Sequence, residues 1–80
     1  MGVLKRPIAI SREDLTQACM QELRLWPGCE TVKGLGVLGD LREKFTVYVI
    51  DYGLANKHVA DRAVRCIQRE KLRQYRLKME

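Results

Sequence analysis

The chain has 80 residues, 46% of them hydrophobic and 31% charged, and a formal net charge of +5. This balance fits one small globular domain and excludes a disordered chain. No apolar run nears the ~20 residues of a bilayer-spanning helix, and the three cysteines, Cys19, Cys29 and Cys66, form neither a disulfide framework nor a C-x-x-C site. They read as reduced thiols, Cys19 and Cys66 as small core residues. The segment up to Ile10 carries Lys5 and Arg6 and then runs into Ser11-Arg12-Glu13-Asp14, without the apolar stretch of a secretion signal. Arg6 also stands where a myristoylation signal needs Ser or Thr, so a cytoplasmic location is expected.

In chain order, Ser11 is a good N-cap, with Asp14 three residues on as a capping-box variant and Ile10 and Leu15 placed as a hydrophobic staple. Leu15, Ala18, Cys19, Leu23 and Trp26 recur at helical spacing until Pro27-Gly28, which predicts a helix over 12–25. From Cys29 the pattern changes to short apolar alternation, predicting a strand at about 30–38, with Gly34 and Gly36 admitting a bulge. Residues 39–43 read as a hairpin loop. Phe45 to Ile50 is the strongest strand signal, placed at 44–51, with Phe45, Val47 and Val49 on one face and Thr46, Tyr48, Ile50 and Tyr52 on the other. Asn56 is a suitable cap for a last helix at 57–76, whose apolar face is Val59, Ala60, Ala63, Val64 and Ile67. Beyond Ile67 that face turns polar, so the last two turns are expected to project.

These elements predict an α+β domain of αββα order, an antiparallel hairpin with two helices packed on one face. Its expected core is Leu15, Cys19, Leu23, Trp26, Val32, Phe45, Val47, Val49, Val64 and Ile67. A two-stranded hairpin is marginal and has two open edges. A homodimer is therefore expected, through the hairpin edge or through Tyr48, Ile50 and Tyr52 on its second face.

The basic charge is unevenly placed. Residues 1–56 are balanced, whereas residues 57–80 hold eight Lys or Arg against three Asp or Glu, the whole excess of the protein. Arg62, Arg65, Arg69, Arg73 and Arg76 lie at steps of three and four, one stripe about 21 Å long on an ideal helix. Guanidinium forks suit phosphates and carboxylates, so the stripe is a candidate contact for nucleic acid or an acidic protein. The competing reading is a solvated helix face in a structural, protein-interaction homodimer.

Other chemistry has little to build on. Gly34-Leu35-Gly36-Val37-Leu38-Gly39 spells G-x-G-x-x-G, but it precedes a strand where a dinucleotide site needs a helix. Ser11 is the only serine and His58 the only histidine, so neither a hydrolytic site nor a zinc site assembles. Cys29 is the one candidate thiol nucleophile, and an activated thiol needs a depressed pKa. No enzymatic activity, cofactor, metal, small-molecule substrate or membrane contact is expected.

Leu15 to Leu23, the turn Trp26-Pro27-Gly28-Cys29, the strand Phe45 to Ile50 and the segment Ala60 to Ile67 together resemble a group of small uncharacterised bacterial proteins. The resemblance implies an αββα fold and carries no functional residue over. Double-stranded RNA-binding domains are similar only in helix–strand–helix order.

Overall fold

The computed structural model describes residues 7–39 and 44–78. Its fold is mixed α+β and contains two helices and four strands: β1 (Ile8–Ile10), α1 (Arg12–Leu23), β2 (Gly34–Gly39), β3 (Phe45–Asp51), α2 (Lys57–Gln74) and β4 (Tyr75–Leu77). The order is thus β-α-β-β-α-β, which corrects the expected αββα. The two added strands pair with each other, in parallel, joining Ile8 to Tyr75 and Ile10 to Leu77. Three residues are too few to show a period, and each partner lies at the other end of the chain.

Helix α1 starts where its cap lies. The Asp14 N–H donates to Ser11 Oγ at 3.1 Å, satisfying one of the first-turn donors that no helical carbonyl can reach. At its other end the Leu25 and Trp26 N–H groups donate to carbonyls only three residues back, so the helix tightens and stops. Pro27 and Gly28 then make a type II turn: Gly28 has φ +86°, and the Cys29 N–H donates to the Trp26 carbonyl at 3.0 Å. A second turn carries the Val32 N–H to the Cys29 carbonyl, so β2 begins at Gly34 rather than near residue 30.

Strands β2 and β3 pair antiparallel, Val37 opposite Val47 and Leu35 opposite Val49. Leu35, Val37, Phe45 and Val47 are buried, while Thr46, Tyr48 and Ile50 are exposed, so the face assignment read from alternation holds over this stretch. Leu15, Cys19 and Leu23 from α1 and Ala60, Ala63, Val64 and Ile67 from α2 complete the core with Cys29, Val32 and Leu77. Two expected core residues lie elsewhere. Trp26 is 36% exposed beyond the end of α1, and Cys66 is exposed on the flank of α2. Val49 is half-buried. The expected hairpin loop begins at Gly39, the end of β2, and continues into residues 40–43, outside the described residues.

The end of α2 is the largest departure from expectation. The helix stops at Gln74, where Tyr75 adopts extended angles (φ −132°, ψ 155°) and its N–H still donates to the Lys71 carbonyl. The last turns do not project: Lys71 and Leu77 are buried and Leu72 and Tyr75 are half-buried against the core. Lys71 is accommodated because its Nζ lies 2.7 Å from Glu22 Oε1 on α1 and 5.7 Å from the Tyr75 ring centroid. No helix among the described residues is long and apolar enough to cross a membrane.

Candidate anion-binding surface

Arg62, Arg65, Arg69 and Arg73 are all exposed on α2, on the side opposite its buried residues. The apolar residues of α2 choose the packed face, and the arginines, out of phase with them by nearly half a turn, are left to solvent. The helical part of the row spans about 16 Å at 1.5 Å per residue. Arg76, expected on the same helix, stands on β4 and is also exposed.

The change from helix to strand does not remove Arg76 from the cluster. Arg69, Arg73 and Arg76 line one open groove with Lys44, the residue before β3, and with Pro7, Leu72 and Tyr75, enclosing about 440 Å³. Arg62 and Arg65 lie farther up the helix, outside this groove. Lys44 and Tyr75 are the residues that sequence reasoning missed here. Lys44 precedes β3, far from α2 in the chain, and no spacing rule links the two.

The acidic residues nearest in sequence, Asp61 and Glu70, lie off the arginine row. Asp61 accepts a 2.5 Å hydrogen bond from the Tyr52 hydroxyl, and Glu70 lines a separate cleft with Trp26 and Cys66. Among the described residues Arg69 and Arg73 form no ion pair; the one such pair is Lys71–Glu22. Lys44 and Arg76 each have a partner within the chain.

Comparison of the chain with family models, curated proteins and solved structures finds no match. The site therefore stands on its own geometry.

The second expected contact surface is divided. Leu38, Tyr48 and Ile50 are exposed on the hairpin, at 60%, 40% and 63%. The Tyr48 ring lies over Gly36, where a Cβ would come within 2.3 Å of the ring carbon Cζ. Tyr52 does not share that surface. The register shifts between Gly34 and Leu35, which pair with Asp51 and Val49, so Ile50 is an extra residue in β3. A bulge reverses the alternation beyond it, and Tyr52 packs against the core with its hydroxyl on Asp61 of α2. Donation to that carboxylate, helped by burial and the Asp61 charge, raises the Tyr52 pKa above its ordinary value.

The remaining candidates take structural positions. Gly34 to Gly39 form β2 of an antiparallel pair, not a phosphate-binding turn. His58 is exposed in the first turn of α2, its N–H capped by Asn56 Oδ1 at 2.9 Å. Cys29 is fully buried, and burial together with the Glu30 charge raises its pKa, the reverse of what a thiolate nucleophile needs. Burial likewise pushes the Cys19 thiol up to about 11. No cluster of metal-ligating side chains occurs among the described residues.

Proposed function

We propose that this protein is a non-enzymatic cytoplasmic binding module whose basic helix face contacts a polyanion, nucleic acid in the first instance. The observation that carries this reading is the placement of Arg62, Arg65, Arg69 and Arg73 in one exposed row, with Arg69 and Arg73 unpaired among the described residues. A soluble helix with no ligand usually mixes its signs; here the acids lie off the row. In this reading both helices cover one face of the hairpin, so the arginines point away from the body.

Phosphate contacts position a protein without reading sequence, and each neutralised phosphate releases counterions. Affinity for duplex DNA or RNA should therefore fall steeply with salt and depend little on base sequence. Each arginine that meets a duplex phosphate adds about 0.9 to the slope of log K against log salt. Titration of the intact chain and of Arg65→Glu/Arg69→Glu tests this, with a slope lower by about 2 expected for the variant. Equal, negligible binding by both at low salt would leave the arginines as a solvated face.

A homodimer is the second reading, favoured by the exposed Leu38, Tyr48 and Ile50 on one hairpin surface. The outer edge of β3 is already occupied in part, since the Val47 N–H donates to Gln68 Oε1 of α2 at 2.8 Å. The dimer would therefore use the open face in preference to that edge. Light scattering at micromolar concentration tests the dimer. A monomer of 9.3 kDa refutes the dimer.

A further inference from the structure

The groove where α2 meets β4 differs in kind from the rest of the arginine row. Arg62 and Arg65 offer charge alone. At the groove, Arg69 and Arg73 stand beside an apolar floor of Pro7 and Leu72 and an aromatic ring, Tyr75. The volume of about 440 Å³ falls in the range of about 300–1,000 Å³ typical of small-ligand clefts. A contact serving only duplex phosphates needs neither an apolar floor nor a ring. Tyr75 is also held in place. It is half-buried in a strand paired to β1, and the buried Lys71 ammonium sits 5.7 Å from its centroid.

We infer that this groove is a nucleotide subsite for an unpaired strand, with phosphate between Arg69 and Arg73 and a base against Tyr75. The inference rests on the basic-module reading above and narrows its ligand to single-stranded nucleic acid. Grooves for single strands combine cations that follow the backbone with aromatic rings that take a base face. In a duplex, neighbouring pairs already cover both faces of each base, so only a splayed or unpaired base can reach the ring. Arg69 and Arg73 carry the phosphate contact; Lys44 and Arg76, which already have partners within the chain, are not required for it.

The test is fluorescence anisotropy at one salt concentration with the intact chain and three probes: an oligouridylate, a matched RNA duplex, and inorganic polyphosphate as a charge-only control. The oligouridylate should bind about tenfold more tightly than either competitor, and Tyr75→Leu should abolish that margin while Tyr75→Phe keeps it. Arg62→Gln/Arg65→Gln should weaken all three probes alike. Nuclear magnetic resonance gives a second readout that needs no variant: the Tyr75 ring protons should shift when oligouridylate is added and stay unmoved with polyphosphate. Equal binding of the three probes, or an unmoved Tyr75 ring, overturns the subsite and leaves the basic module intact. Absence of binding to every probe at low salt overturns both.

Discussion

Replacing Glu22 by Gln should destabilise the protein far more than replacing Lys71 by Met, although each change deletes the same ion pair. Lys71 is 7% exposed at its side chain and Glu22 is 43% exposed. Removing the carboxylate strands an ammonium in the interior, a change that costs about 3–5 kcal/mol for a fully buried pair. Because water reaches Glu22, the cost here should be smaller, about 1–3 kcal/mol. Lys71→Met instead removes the buried charge, keeps an unbranched chain of similar length, and releases Glu22 to solvent. Its net effect should stay within about 1 kcal/mol, since replacing a buried ion by an apolar side chain is often neutral. In urea, with a slope of about 1 kcal/mol per molar for a chain this small, Glu22→Gln should lower the unfolding midpoint by about 1–3 M. The pH dependence supplies an independent check. Burial acts to lower the Lys71 pKa, but the hydrogen bond and charge of Glu22 outweigh it, so the net shift is upward from 10.5. A cation with a raised folded pKa contributes stability that is fully present below its unfolded value and is lost as pH rises through the folded one. The wild type should therefore lose stability relative to Lys71→Met above about pH 10.5. An equal midpoint loss for Lys71→Met and Glu22→Gln would refute the argument, because leaving the ammonium without its carboxylate would then cost no more than removing the ammonium altogether.

Gly53 has φ +58°, and a Cβ there would lie 2.0 Å from the Thr31 carbonyl oxygen; Gly53→Ala should cost at least about 2 kcal/mol, lowering the melting temperature by about 8–16 °C in a differential scanning measurement. A melting temperature within a degree or two of wild type would show that the turn has another accessible geometry. Of the three cysteines, Cys66 is exposed and Cys19 and Cys29 are buried, so a thiol reagent at neutral pH should modify one equivalent in the native protein and three only after unfolding. Rapid native modification of more than one would place Cys19 or Cys29 near solvent.

Local chemistry made much of this structure legible from sequence. Ser11 and Asn56 cap the helices because their side-chain oxygens satisfy donors that no other residue in the segment can reach. Pro27 and Gly28 end α1 through a turn type that their own φ preferences dictate. Alternation in Phe45 to Ile50 sorts buried from exposed side chains as far as the bulge, and the 3.6-residue period of α2 separates Ala60, Ala63, Val64 and Ile67 from the arginines. Each of these signals lies within a few residues. What only the tertiary structure decided depends on contacts between distant segments. β1 and β4 exist as strands through each other, since three-residue segments have no independent stability. Their pairing ends α2 at Gln74, moves Arg76 off the helix, and brings Lys44 and Tyr75 to Arg69 and Arg73. In the polar turn read as projecting, Lys71 is buried because Glu22, on another helix, offers it a carboxylate. The bulge at Ile50 likewise reverses the alternation and sends Tyr52 inward to Asp61. Periodicity gives the direction of a side chain within its own element, but the partner that awaits it is set by the chain's return from elsewhere.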